Sequence, residues 1–141
     1  MAVKFNKNIY SIIDANINRA KEGLRVIEDI IRFINKNKEF LKKIKNIRHN
    51  IDFITYQLAP EYKTLLNNRD SMSDAGRKIK TKGEFKRERI VDILVSNFKR
   101  TEESLRVLEE ISKIINKKSA MQFKDLRYRV YELEKRIILG V

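Results

Sequence analysis

Apolar residues recur every three or four positions over two long stretches of the chain, which is the pattern of amphipathic α-helices. In the first stretch it predicts a helix over about 8–36 and a second helix that ends at Leu58, before Pro60. In the second stretch it predicts a helix over about 84–116, followed by another that continues through Ile137. Four helices of this kind pack naturally as a bundle.

The segment 60–83 between the two stretches has no comparable apolar stripe. It holds the only proline and two of the four glycines, so we expect a long loop. Loops of this length inside compact domains are usually functional. The predicted fold is therefore all-α, a single domain over 1–141 in which two helical hairpins, 8–58 and 84–139, form a four-helix bundle joined by this loop.

The two hairpins also repeat one another in sequence. NINRAKEGLRVIEDI at 16–30 is echoed 81 residues later by NFKRTEESLRVLEEI at 97–111, and seven of the first fourteen aligned pairs are identical. Shared apolar positions are expected of any two amphipathic helices, but polar ones are not. The matched polar pairs are Asn16 and Asn97, Arg19 and Arg100, Glu22 and Glu103, Arg25 and Arg106, Glu28 and Glu109, and, on the second helices, Arg48 and Arg127. This repetition predicts two halves related by a pseudo-twofold axis.

Composition narrows the class of protein. The chain has no cysteine, which excludes disulfides and thiolate metal sites, and no apolar run approaches the roughly 20 residues of a membrane span. We expect a cytoplasmic protein that does not enter a membrane. The net charge of +13 suits an anionic partner, either a nucleic acid or a phosphorylated small molecule, although many of the lysines fit solvated helix faces.

The matched arginines are candidates for phosphate binding. On a helical wheel Asn16 falls inside the apolar stripe and Arg19 on its shoulder, and Asn97 and Arg100 repeat this placement. An unpaired buried charge is costly, so such arginines either join an ion-pair network within the bundle or bind phosphates in a cleft. Both alternatives stay open for these arginines and for the other members of the set, which are Glu22, Glu103, Arg48 and Arg127. The remaining matched pairs, Arg25 with Glu28 and Arg106 with Glu109, lie further round the wheel, where pairing three residues apart on the surface is expected.

The central loop carries a second cluster of polar residues. Glycine permits close approach of the backbone to a phosphate, and spaced aspartates can hold magnesium through one or two carboxylates. The alternative is a charged interhelical loop with ordinary turn aspartates. The cluster consists of Arg69, Asp70, Asp74, Gly76 and Arg77, with Asp70 and Asp74 as the candidate metal ligands.

Several motifs together resemble a known family. DANINRAKEGLRVIEDIIRF, IRH, RDSMSDAG, SNFKRTEESLRVLEE and LRYRVYELEK occur in this order over nearly the whole chain. They are similar to the small hydroxymethylpyrimidine-phosphate kinase domain of thiamin synthesis, which is unrelated to the ribokinase-like kinase and is often fused ahead of thiamin-phosphate synthase. The chain resembles the free-standing form, and Ala75 stands where the family pattern has valine.

The resemblance implies ATP-dependent phosphorylation of 4-amino-5-hydroxymethyl-2-methylpyrimidine phosphate to its diphosphate, with magnesium and with a functional link to thiamin-phosphate synthase. It implies action on the monophosphate and not on the free alcohol. Our assignment of residues rests on their chemistry, with Arg19, Arg100, Glu22, Glu103 and Asp70 as catalytic candidates. The other candidates would bind substrate or nucleotide. A basic helical nucleic-acid-binding protein and a purely structural helical module are the rival classes, and the sequence leaves the oligomeric state open.

Overall fold

The computed structural model describes residues 2–82 and 86–140, with side chains from residue 8 onward, and all regular secondary structure in these residues is helical. The all-α class is therefore confirmed. The helices are α1 (Ala2–Ile30, extended by a π-helical turn at Ile31–Asn35), α2 (Lys38–Leu58), α3 (Tyr62–Asn67), α4 (Ile90–Ile115) and α5 (Lys117–Leu139).

The ends of the first two helices follow the prediction closely. The π-helical turn ends at Lys36, whose backbone is left-handed (φ 61°) and whose N–H donates to the carbonyl of Ile31 at 2.6 Å. Helix α2 ends at Leu58, as predicted, because the residue before Pro60 is disfavoured in a helical conformation.

Two features of the middle segment differ from the prediction. The loop was expected to have no helix, yet Tyr62–Asn67 form the short helix α3, which buries Leu65 in the core. The third long helix was expected to begin near 84, a position that lies outside the described residues, but residues 86–89 are not helical. The helix begins at Ile90 because the Asp92 carboxylate accepts the N–H of Arg89 at 2.9 Å and caps its first turn.

The four long helices enclose one core. Helix α1 packs against α2 and α4, and α5 packs against the same two helices. Apolar side chains from all four helices fill the space between them, although the predicted stripe residues Ile12, Ile34, Ile90 and Ile115 are exposed. The largest fully buried apolar side chains are Phe98, Phe123, Ile13, Leu24, Ile27, Ile31, Ile44, Ile51, Leu105, Leu108 and Val130.

Helices α1 and α4 cross at unusually small residues. A Cβ added to Gly23 would lie 2.5 Å from Thr101 Oγ1 and 3.0 Å from the carbonyl oxygen of Asn97, so only glycine allows this approach. Ala20 and Ser104, the repeat partners of Thr101 and Gly23, are buried at the same crossing. The crossing brings the repeated polar residues of both helices to one face of the protein.

A buried carboxyl pair lies between α4 and α5. Glu102 is 3% exposed, and Lys99 Nζ lies 3.2 Å from an oxygen of Glu102 and 3.2 Å from one of Glu134. Burial raises the pKa of Glu102 from 4.5 to about 7, and the neighbouring carboxyl of Glu134 acts in the same direction, against the effect of Lys99. The fold therefore favours the protonated form of Glu102.

This pair predicts a pH-dependent stability. Because the pKa of Glu102 is higher in the folded than in the unfolded state, protonated Glu102 stabilises the fold. This stabilisation is fully present below pH 4.5 and is lost as the pH rises to about 7. Glu102→Gln mimics the protonated form at every pH. The free energy of unfolding of this variant minus that of the parent should therefore be about 1–3 kcal/mol larger at about pH 8 than at about pH 5. Urea unfolding of both proteins at both pH values measures this change. A difference between variant and parent that is the same at the two pH values would contradict the raised pKa of Glu102.

Candidate functional site

A cleft opens between α1 and α4 beside their crossing. We call it the arginine cleft, and it is lined by Asn16, Arg19, Arg100, Glu103, Ser104 and Val107. Asn16, Arg19, Arg100 and Glu103 were all predicted as site residues, and the two halves of the repeat both contribute. The helix crossing explains this meeting, since Arg19 and Arg100 immediately precede the crossing residues Ala20 and Thr101.

The two arginines of the cleft lack strong partners. Within the described part of the chain, no carboxylate lies within 4.0 Å of the Arg19 guanidinium. Arg100 Nη2 lies 3.9 Å from Glu22 Oε2, and these side chains are 52% and 68% exposed. Exposed pairs at such distances contribute little stability. Among the described residues Arg19 therefore forms no ion pair and Arg100 forms only a long, exposed one with Glu22, so both guanidiniums can receive an anion.

The repeated asparagines are oriented by their own helices. Asn16 Nδ2 donates to the carbonyl of Ile12 at 2.9 Å, and Asn97 Nδ2 donates to that of Ile93 at 2.8 Å. Asn16 is only 5% exposed and faces the arginine cleft. Among the described residues no donor is hydrogen-bonded to either Oδ1, so these oxygens can accept a hydrogen bond from a ligand amino group.

Arg48 takes part in a buried triad instead. Its Nη2 lies 3.3 Å from Glu28 Oε1, and Arg25 Nη1 lies 2.7 Å from Glu28 Oε2. The Glu28 side chain is 1% exposed and that of Arg48 is 18% exposed. This arrangement matches the ion-pair alternative for Arg48.

The second half of the repeat forms the same triad. Arg106 Nη1 and Arg127 Nη2 lie 2.6 and 3.0 Å from carboxylate oxygens of Glu109. Glu109 is 4% exposed. Pairing three residues apart is confirmed for both halves, but the surface placement predicted for Glu28 and Glu109 is wrong. Helices α2 and α5 supply arginines that cover this flank, which a wheel of one helix does not show. Ligand binding by Arg48 and Arg127 stays a prediction.

The central loop is anchored on α1. Arg69 Nε and Nη2 donate to the two oxygens of Asp14 at 2.7 and 2.6 Å, and Ser11 Oγ donates to the carbonyl of Asn68 at 2.8 Å. Sequence reasoning named Arg69 but missed Asp14, which is 5% exposed. The sequence feature that could have identified Asp14 is its position directly after Ile13, which belongs to the apolar pattern of the first helix.

The anchored loop forms a second cleft against α1, which we call the loop cleft. It is lined by Ser11, Asp14, Ala15, Asn18, Asn68, Arg69, Asp70, Ser71 and Asp74. Asn18 of this cleft and Arg19 of the arginine cleft are consecutive on α1. Both clefts therefore lie at the same level of α1.

The two candidate metal ligands both stabilise turns. Asp70 Oδ1 accepts the N–H of Ser73 at 3.1 Å, and Asp74 Oδ1 accepts that of Gly76 at 2.8 Å, as the turn alternative predicted. Each keeps its second oxygen for another partner. The described residues contain no group of three or more acidic, histidine or cysteine side chains suited to a metal. Two single oxygens still fit magnesium bound to a nucleotide, since phosphates and water supply most of its ligands.

Gly76 and Arg77 lie further along the same loop. Both are exposed, and the N–H of Arg77 donates to the carbonyl of Asp74 at 3.1 Å. Neither residue lines the loop cleft. The structure thus brings four predicted residues together at the arginine cleft and three, Arg69, Asp70 and Asp74, at the loop cleft, whereas Gly76 and Arg77 remain outside both.

Comparison with known proteins identifies the family. The model of the ThiD2 family matches residues 11–136. The chain belongs to the ThiD2 family. The matched span contains every residue that lines the two clefts.

Relatives of this ThiD2-family chain are longer proteins named thiamine-phosphate synthase. The chain is 39% identical over 129 residues to one from Prochlorococcus marinus, matching 92% of this chain and 36% of the relative. It is 38% identical over 130 residues to one from Nostoc punctiforme, with 92% and 35% covered. The chain thus spans about a third of the length of these relatives. No solved structure matches it.

The described residues include no helix that is long and apolar enough to cross a membrane.

Proposed function

We propose that this chain is a kinase of thiamin biosynthesis that uses ATP to convert 4-amino-5-hydroxymethyl-2-methylpyrimidine phosphate to its diphosphate. The observation that carries this proposal is the arginine cleft, where two guanidiniums from the two halves of the repeat face one space. Among the described residues Arg19 has no carboxylate within 4.0 Å, and the Glu22 partner of Arg100 is 3.9 Å away. Membership of the ThiD2 family and relatives named thiamine-phosphate synthase support the pathway.

The reaction joins two groups of negative charge. An oxygen of the acceptor phosphate attacks the terminal phosphorus of ATP, the bond from that phosphorus to the bridging oxygen breaks, and ADP leaves with the bond's electrons. The attacking oxygen is already ionised near neutral pH, so the enzyme needs positioning and charge neutralisation more than a general base.

The cleft residues would perform these tasks. Arg19 and Arg100 bind phosphate oxygens and neutralise charge that develops during transfer. Glu22 and Glu103 flank the arginines and orient them. Asn16 Oδ1 accepts a hydrogen bond from the pyrimidine amino group, and Val107 of the cleft lies against its ring, whereas Asn97 is not among the residues that line the cleft.

Magnesium would be held at the loop cleft. Asp70 and Asp74 each offer one carboxylate oxygen there, and the bound ion would neutralise charge on the ATP phosphates. Both clefts use side chains from the same level of α1, so ATP bound through its phosphates at the loop cleft would direct its terminal phosphate toward the arginine cleft.

Ligand-induced thermal stabilisation separates the proposed function from its rivals. A ligand present at about 100 times its Kd stabilises a folded protein by about 2.7 kcal/mol, which raises its Tm measurably. We expect ATP with magnesium and the pyrimidine phosphate each to raise the Tm, whereas a single-stranded RNA oligonucleotide of about ten residues should not. Stabilisation by the RNA alone favours a nucleic-acid-binding protein. No stabilisation by any of the three favours a structural module.

A further inference from the structure

The repeat is broken at one buried charged residue. Asp14 on α1 corresponds to Val95 on α4, so the second half has no equivalent carboxylate. Asp14 is 5% exposed, whereas Val95 is 36% exposed. A buried charge is tolerated only when it is well paired, and both oxygens of Asp14 are engaged by Arg69 at 2.6 and 2.7 Å. This two-point contact is the strong form of a guanidinium–carboxylate pair.

The pair fixes the start of the loop. Arg69 lies two residues after the end of α3 and directly before Asp70. Together with the hydrogen bond from Ser11 to the carbonyl of Asn68, it attaches residues 68 and 69 to α1. Residues 70–76 are all exposed, so this part of the loop depends on its anchored start for its position. Asp14 lies five residues before Arg19 on α1, and it lines the loop cleft together with Arg69.

We propose that Asp14 is a positioning residue that, through Arg69, holds the loop 68–76 beside the arginine cleft on one half of the repeat only. The inference rests on the proposed function and goes beyond it in making the two half-sites unequal. Because Asp70 and Asp74 of this loop are the proposed ligands of the magnesium on ATP, the loop serves ATP. The other substrate occupies the half that lacks a carboxylate at position 95.

Loop mobility in the free protein provides a test that is independent of activity. Asp14→Asn keeps the shape of the side chain but removes its charge, so Arg69 loses its two-point partner. We expect amide hydrogen exchange in residues 68–76 to become at least about five-fold faster in this variant. Arg69→Lys keeps the charge but cannot form the two parallel hydrogen bonds that a guanidinium makes with a carboxylate. A smaller increase in the exchange rate is expected for it.

Kinetics with both substrates tests the asymmetry. For Asp14→Asn we expect the KM of ATP with magnesium to rise at least about five-fold, while the KM of the pyrimidine phosphate changes less than about two-fold. Asp52→Asn is the matched control, because Asp52 also pairs α1 with another segment, through Lys21 at 2.7 Å, but lies outside both clefts. It should leave both KM values and the loop exchange unchanged.

The positioning role of Asp14 and the proposed kinase function can be contradicted independently. Unchanged loop exchange in Asp14→Asn overturns the positioning role, whether or not the chain is a kinase. Equal rises in both KM values overturn the asymmetry. A parent protein that binds both ligands but transfers no phosphate overturns the proposed function, and loop exchange still decides whether Asp14 holds the loop.

Discussion

Arg19→Ala and Arg100→Ala should each lower kcat/KM at least about 100-fold, the effect of removing one preorganised group that stabilises transition-state charge. Neither change should lower the Tm by more than about 2 °C, because Arg19 has no carboxylate within 4.0 Å in the described structure and the Glu22 partner of Arg100 is 3.9 Å away. Steady-state kinetics and thermal unfolding of the same preparations measure both quantities.

Arg129→Ala provides a matched control for this prediction. The Arg129 side chain is 52% exposed, as is that of Arg100, and it pairs with Asp125 one turn away on α5. The substitution removes the same charge from the protein without touching either cleft, so kcat/KM should stay within about two-fold of the parent. If Arg129→Ala lowers activity as much as Arg100→Ala, general electrostatic attraction and not the cleft explains the effect.

Glu109→Gln should cause the largest loss of stability of any substitution considered, about 3–5 kcal/mol in the free energy of unfolding. The change leaves Arg106 and the mostly buried Arg127 without their shared carboxylate, and uncompensated buried charge is the costly outcome. Urea unfolding monitored by circular dichroism measures this loss. Because Glu109 lies outside both clefts, activity of the remaining folded protein should persist.

The neighbouring residue supplies the control. Glu110 also pairs with Arg106, at 2.8 Å, but its side chain is 46% exposed, and its second partner Lys113 is exposed as well. Glu110→Gln should therefore cost less than about 1 kcal/mol. Equal losses of unfolding free energy for Glu109→Gln and Glu110→Gln would contradict the prediction, because they would mean that burial of Glu109 does not add to the cost of removing its charge.

The fold was largely predictable because its main determinants are local. Apolar residues three and four apart define α1, α2, α4 and α5, and Pro60 ends α2. The start of α4 and the short helix α3 were missed for a different reason. Their positions depend on a side-chain cap at Asp92 and on burial of the single residue Leu65, which leave no periodic pattern.

The candidate site was predictable only where the repeat revealed it. Matching polar residues identified Arg19 and Arg100, and the helix crossing then brought them together. The burial of Glu28 and Glu109 was missed because arginines from α2 and α5 cover them. The Asp14–Arg69 pair joins residues 55 positions apart and is absent from the second half, so neither periodicity nor repetition indicated it.

Comparison of the pyrimidine monophosphate with the free hydroxymethylpyrimidine, each supplied with ATP and magnesium, tests the central claim most directly. The alcohol offers the arginine cleft no anionic group to bind, and its hydroxyl, unlike the phosphate, is not ionised near neutral pH, so it lacks both the binding contact and the ready nucleophile. The account predicts formation of the diphosphate from the monophosphate and no detectable phosphorylation of the alcohol. Comparable turnover of the two compounds, or none of either, would contradict it.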